Sequence, residues 1–468
     1  MDIQQTLVHL GEQIAKVENT WQLSKAEDGS SHLFIPSSYD QFFFSVTFSA
    51  GSLWEQPDTA GISHLLEHMM FRGSDRYPAF LDLAAEFEKF GGEWNAETGQ
   101  SYTSYWYYGT TLGQEQIIEL FREFIHHPRL QNLEQEKKIV LREIEEEINE
   151  FGEFTDLDIH LASIFWPHSA AALPITGTIE SVRSISLEHL QQFRRQHYLP
   201  EKAFLTIIRP GDSLPLQSMK TFFSESSAKI GGHSSGKLIS KSGASKPALD
   251  PAPINAVNFK GPRLKIVENT DGQCSVQLGY LIPNARETGK LERMQLISSM
   301  MSHGFTSWLS LHLREKMGLV YDVGTHVQEV GTDAYLGITA NVSYELLPEF
   351  FAELLHILAD RSKTGIDPQE LAVAKLKLCS DLMHAVHAPV GAVELAYELY
   401  HRPPIKKISG IANSVQNTNE SSTLALLQEL FAPERLGIVI LGQASKIKIP
   451  ALRKSLPSLS ISYSISSS

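Results

Sequence analysis

Cysteine is nearly missing. Cys274 and Cys379 are the only two among 468 residues. Two thiols cannot build a disulfide framework or a cysteine-based zinc site, and a reducing compartment is expected. Long apolar runs are missing too, so no membrane-spanning helix is expected, since one needs about 20 such residues. The opening residues Met1-Asp2-Ile3-Gln4-Gln5-Thr6-Leu7 carry no basic cluster and no apolar core, and Asp2 and Glu12 are unlike an acid-poor transit peptide. A cytoplasmic protein is the resulting expectation. Dense Lys/Arg blocks are lacking as well. With 40 basic and 54 acidic residues the formal net charge is −14, which argues against a nucleic-acid partner. What is present is ordinary for a globular chain: 42% hydrophobic and 20% charged residues. The length exceeds what one core usually organises, so two or more domains are expected.

Against that background one stretch carries chemistry, Gly61-Ile62-Ser63-His64-Leu65-Leu66-Glu67-His68-Met69-Met70-Phe71. Its pattern predicts an amphipathic helix with Leu65, Leu66, Met69 and Met70 on the apolar side. Residues i and i+4 lie about 40° apart around a helix, so His64 and His68 project from one face. Two such histidines can hold one metal ion, and Glu67 beside them can take a proton from a metal-bound water. The order H-x-x-E-H is the zinc-peptidase H-E-x-x-H written backwards. A third ligand must come from elsewhere. The helix predicted over 134–151 is rich in Glu, and Glu136 and Glu143, seven apart, share one face to within about 20°. Spacing by itself leaves Glu143 and Glu147 both open as that ligand.

The rest of the chain reads as two halves. In the first, strands at 32–36 and 41–50 precede the motif helix and a second helix over 79–90. A short extended segment, Glu93-Trp94-Asn95-Ala96-Glu97-Thr98, then leads to a strand over 101–108. It is either one arm of an ordinary hairpin, the favoured reading, or an edge that pairs with a peptide by strand addition. Helices follow over 112–124, 156–165, 187–197 and about 217–223, with a strand over 203–208. Residues 226–256 are crowded with Ser, Gly, Lys, Ala and Pro, which is linker composition. Beyond them the order recurs: strands, two helices (291–302 and 308–316), strands, a group of helices (346–360, 368–387, 392–400, 421–431), a strand over 436–441. Ile297-Ser298-Ser299-Met300-Met301 stands where the first half has H-x-x-E-H. The division is therefore 1–225, a linker over 226–256, and 257–468, and the Ser-rich tail beyond Pro457 is expected to fray.

These residues resemble the pitrilysin/insulinase family of inverted zinc peptidases, in the short branch that includes the mitochondrial processing peptidase. The resemblance spans about 30–445. Besides the metal motif it rests on Phe90-Gly91-Gly92-Glu93-Trp94-Asn95-Ala96-Glu97-Thr98, on Leu173-Pro174-Ile175-Thr176-Gly177-Thr178 with Tyr198-Leu199-Pro200, on Gly304-Phe305-Thr306-Ser307-Trp308-Leu309, and on Leu313-Arg314-Glu315-Lys316-Met317-Gly318-Leu319-Val320-Tyr321. It implies an α+β fold of two homologous domains, each an antiparallel sheet covered by helices, forming half of a clamshell. It also implies roles. His64, His68 and Glu143 would ligate one zinc ion per chain, and Glu136 would orient a ligating histidine. Glu67 would be the general base that activates a zinc-bound water. Asn95 and Ala96 would hold substrate, and Arg314 with Tyr321 in the second domain would grip it and take part in catalysis.

The function so implied is a zinc metalloendopeptidase cutting extended peptides or unfolded segments inside a dimeric chamber. A homodimer is the simplest assembly, with a heterodimer with a paralogue as the variant. Two other readings stand beside it: a peptidase dedicated to trimming one precursor or leader peptide, and a non-catalytic subunit that binds peptides.

Overall fold

The computed structural model describes residues 2–211, 219, 221–223, 259–388, 391–392, 395, 397 and 406–464. The first stretch contains α1 (Ile3–Glu18), β1 (Gln22–Lys25), β2 (Ser31–Pro36), β3 (Phe42–Phe48), α2 (Ile62–Met70), α3 (Phe80–Glu88), β4 (Glu93–Thr98) and β5 (Thr103–Gly109). It continues with α4 (Gln114–His126), α5 (Leu133–Glu147), α6 (Leu157–Phe165), α7 (Ile179–Ser184), α8 (Leu187–His197) and β6 (Ala203–Arg209). Later come β7 (Arg263–Val267), β8 (Cys274–Ile282), α9 (Leu291–Ser302), β9 (Val323–Val330), β10 (Asp333–Val342), α10 (Leu347–Thr364) and α11 (Pro368–His387). The last are α12 (Ile408–Asn417), α13 (Glu420–Leu430), β11 (Leu436–Leu441), α14 (Ile449–Ser455) and β12 (Ser460–Ser464).

The fold is α+β, built on two six-stranded sheets with helices against them. Their orders are β1-β2-β6-β3-β5-β4 and β12-β7-β11-β8-β10-β9. Strand for strand the last five positions match, β2-β6-β3-β5-β4 against β7-β11-β8-β10-β9, so the repeat of element order is a repeat of topology. Both sheets are mixed rather than purely antiparallel: β2 runs parallel to β6, and β7 runs parallel to β11 and β12. Connectivity permits this: β2 and β6 are joined through most of the first half, long enough for the crossover a parallel pair needs.

One compact unit holds Asn19–Ile144 and the described residues of 174–252. Its centre is β3, whose seven residues are all buried. The run Phe42-Phe43-Phe44 is consistent with a strand covered on both faces. Phe44 meets Phe121 of α4 edge-on, with centroids 5.3 Å apart, and Phe48 stacks on Tyr198 at 4.4 Å. Each such buried side chain contributes about 1.5–3 kcal/mol.

The other unit gathers α1, residues 145–173 and the C-terminal part of the chain. Leu7 of α1 lies in the same core as Val276 of β8 and Met300 of α9. The buried Glu18 carboxylate accepts from the backbone N–H groups of Ile408 (2.7 Å) and Ser409 (3.0 Å), which start α12. On the α6 side, Trp166 Nε1 donates to Asp333 Oδ2 at 3.1 Å. Segments far apart in sequence thus share one core. Residues 226–256 lie outside the described residues, as do parts of 217–223 and 392–400.

Two local readings change. The segment expected as a helix over 308–316 is π-helical over Ser310–Lys316, and Met317 N–H reaches back five residues to His312 O at 3.0 Å. The tail does not fray where expected: Ser460–Ser464 pairs along β7, and that edge position satisfies its backbone. Among the described residues no helix is long and apolar enough to cross a membrane.

Candidate metal centre

The motif helix α2 is started by its surroundings. Gly61 holds a left-handed conformation (φ 87°) and supplies no side-chain cap. Gly177 (φ 83°) lies against it, and a Cβ on Gly61 would meet Thr176 O at 2.5 Å, while one on Gly177 would meet Ala60 O at 2.4 Å. Only glycine pairs permit that approach. The capping is done by a side chain from the segment just before the helix: Glu55 accepts from Gly61 N–H (2.6 Å) and Ser63 N–H (2.9 Å). These are two of the orphan donors at the helix start. Burial pushes the Glu55 carboxyl up to about 7, against the pull of those bonds.

Leu65, Leu66, Met69 and Met70 are fully buried, which leaves His64, Glu67 and His68 on the opposite, partly open face. α5 crosses this face. Glu143 Oε2 lies 3.8 Å from His64 Nε2 and 3.5 Å from His68 Nε2. One ligand atom from each of the three residues falls within 4.8 Å of the others. A tetrahedral site with bonds of about 2.0–2.1 Å needs donors about 3.3 Å apart, so small adjustments complete the set. These contacts exceed hydrogen-bond range, and buried His64 Nδ1 has no partner among the described residues. Two imidazole nitrogens and a carboxylate converging at these distances fit a divalent ion between them.

The electrostatics agree with that arrangement. Burial, and then the neighbouring His68, push His64 down to about 4. For His68 burial also acts downward, but Glu136, Glu143 and Glu67 outweigh it and hold it above its ordinary value. Glu136 is one helical turn pair before Glu143 and 1% exposed. Its Oε2 lies 3.7 Å from His68 Nδ1, the nitrogen away from Glu143, and its Oε1 pairs with Arg72. Burial would raise Glu136, yet His68 and Arg72 hold it below the usual carboxylate range. A carboxylate placed so favours a proton on Nδ1 and leaves Nε2 facing Glu143. Glu136→Gln is therefore expected to weaken metal binding by about 10–100-fold, measured by competition with a chromophoric chelator. Unchanged affinity would contradict the assignment.

Glu67 is held from the other side. Thr98 Oγ1 donates to Glu67 Oε2. Burial raises the Glu67 carboxyl, while Thr98 and His68 oppose the rise. Thr98 ends β4, the edge strand of its sheet, where Trp94 stacks on Phe87 at 4.3 Å. β4 is both arm and edge: it pairs with β5 through a tight turn and has no neighbour on its other side among the described residues. Exposure alternates, with Glu93, Asn95 and Glu97 outward. Asn95 Oδ1 accepts from the Ala96 N–H at 2.9 Å, so that donor is not spent on β5.

Arg314 and Tyr321 belong to the other unit. The Arg314 guanidinium sits between the rings of Phe305 (5.3 Å) and Tyr321 (5.5 Å), with Nε 3.4 Å from Glu315 Oε1. Tyr321 is 86% exposed. Where the first half has its H-x-x-E-H helix, α9 carries Ser298 and Ser302, whose hydroxyls meet Thr325 Oγ1 at 2.8 and 2.6 Å. Sequence reasoning missed Glu55 and gave Thr98 no role. Glu55 lies in no helix pattern, and Thr98 was legible only as part of a motif.

Two helix-covered mixed sheets of matching topology, one with a His/Glu/His helix, define a metallopeptidase-like architecture. The profile described as Insulinase (Peptidase family M16) matches residues 37–178, and the one described as Peptidase M16 inactive domain matches residues 184–378. A Mycobacterium leprae protein named an uncharacterized zinc protease is 26% identical over 421 residues, covering 86% of this chain and 88% of its own. The Bacillus subtilis protein named uncharacterized zinc protease YmxG is 25% identical over 346 residues, covering 72% and 77%. The crystal structure of a protease from Helicobacter pylori shares the fold with a TM-score of 0.77 at 18% identity, covering 90% of this chain and 99% of that one. The chain belongs to the pitrilysin/insulinase family of peptidases.

Proposed function

We propose that the protein is a zinc-dependent endopeptidase acting on extended peptides or unfolded segments. The observation that carries this is the convergence of His64, His68 and Glu143 beside Glu67 on the partly open face of α2. The names of the relatives as zinc proteases support zinc as the ion. Zinc in such a site acts as a Lewis acid, acidifying water and polarising a carbonyl. Glu67 takes the proton of the attacking water as the C–O bond forms. It then gives that proton to the amine nitrogen as the C–N bond breaks. The free edge of β4 receives the substrate backbone by strand addition at Asn95 and Ala96. Arg314 and Tyr321 grip the substrate and donate to the developing oxyanion, an effect typically worth about 3–4 kcal/mol per donor. Cys274 and Cys379 are buried free thiols, in keeping with a cytoplasmic setting.

Incubation with a library of unstructured quenched peptides tests the reading. Cleavage is expected, lost on chelation and restored by zinc. A zinc-loaded protein that cuts no peptide would favour a peptide-binding subunit instead.

The assembly proposed is a homodimer in which Arg314 and Tyr321 of one chain complete the zinc site of the other. Mixing two inactive variants checks it. Glu67→Gln with an Arg314→Ala/Tyr321→Phe double variant should recover up to about a quarter of wild-type activity through hybrid dimers. No recovery despite subunit exchange would rule it out.

A further inference from the structure

Thr98 occupies a place that no role above explains. It closes β4, and its side chain shares a face with Trp94 and Ala96, all half-buried, while Asn95 and Glu97 point the other way. Its hydroxyl spans from the edge strand to α2 and donates to one oxygen of Glu67, Oε2. A threonine hydroxyl has a single proton to donate. Spent on Oε2, it takes one acceptor site of that oxygen and turns Oε1 to accept elsewhere. It also anchors the carboxylate on the β4 side of the helix. Unanchored, Glu67 sits next to His68 in sequence, on the face that holds the three ligand atoms. A carboxylate there is itself a good ligand for a divalent ion, and one bound to the ion is no longer a base.

We infer that Thr98 is a positioning residue for Glu67: its hydroxyl holds Oε2, reserves Oε1 for the water proton, and keeps the carboxylate off the metal. This rests on the reading of Glu67 as the base. It gives the Thr98 end of β4 a second task beside strand addition, because the strand that receives the peptide also sets the base. Thr98→Val keeps the β-branched shape and the methyl packing but removes the donor. Thr98→Ser keeps the donor and removes the methyl.

The experiment compares wild type, Thr98→Val and Thr98→Ser, each loaded with cobalt(II) for absorption spectra and with zinc for kinetics. In Thr98→Val the visible cobalt bands are expected to change in intensity as Glu67 adds to the coordination, and in Thr98→Ser they should match wild type. With zinc, Thr98→Val should lose about 10–100-fold in kcat, the range of effects typical of outer-shell partners, with KM within about twofold, and Thr98→Ser should recover most of it. A Thr98→Val spectrum identical to wild type overturns the inference whatever the activity. So does a Thr98→Ser variant as impaired as Thr98→Val, since packing rather than the hydroxyl would then matter. If wild type cleaves no peptide, the peptidase reading fails, and the spectra still decide whether Thr98 restrains Glu67.

Discussion

Replacing Glu67 by Gln is expected to lower kcat for peptide cleavage by about 10²–10⁴-fold, the usual contribution of a positioned base, or about 3–5 kcal/mol of barrier. The change is nearly isosteric. The amide oxygen can still accept from Thr98, and the neighbouring candidate ligands His64 and His68 are untouched. What is lost is the ability to take a proton. Metal content should therefore stay within about twofold of wild type, read by elemental analysis, and the substrate KM should move little, because the proposed substrate strand β4 is unaltered. Loss of activity together with loss of metal would show a structural effect instead. A variant retaining more than about a tenth of wild-type kcat would remove Glu67 from the mechanism, since even the low end of the range is larger.

Removal of a ligand should act earlier, on metal binding itself. Glu143→Ala and His68→Ala are each expected to weaken zinc binding by more than about 100-fold, beyond the effect of outer-shell changes, and to abolish cleavage at limiting zinc. Binding should also depend on pH with a definite sign. His64 is pushed down to about 4 and is neutral around neutrality, so it has no proton to give up. His68 differs: although burial lowers it, Glu136, Glu143 and Glu67 together raise it above its ordinary value. A proton on His68 competes with the metal. Affinity should rise with pH through the neutral range and fall about tenfold per unit once the pH is below the His68 pKa. Chelator competition at several pH values reads this directly. A flat profile would mean that His68 is already neutral and the surrounding carboxylates do not act on it.

Helical periodicity made much of this site legible in the sequence. The i, i+4 spacing of His64 and His68 and the seven-residue spacing of Glu136 and Glu143 are properties of single helices, fixed by 3.6 residues per turn. The apolar stripe of α2 likewise told which side would be buried, and all four of its residues are. Strand order could be read as far as the repeat of element order, because hydrophobic patterning is local. Spacing could not choose between Glu143 and Glu147. That choice depends on how α5 crosses α2, and the fold brings Glu143 to both imidazoles with Glu136 behind His68. The glycine pair Gly61 and Gly177 and the Thr98 bond to Glu67 are contacts between segments far apart in sequence. The mixed character of the sheets and the joining of α1 and residues 145–173 to the C-terminal core have the same origin. Each depends on where a long chain returns in space, which no local pattern of residue types encodes.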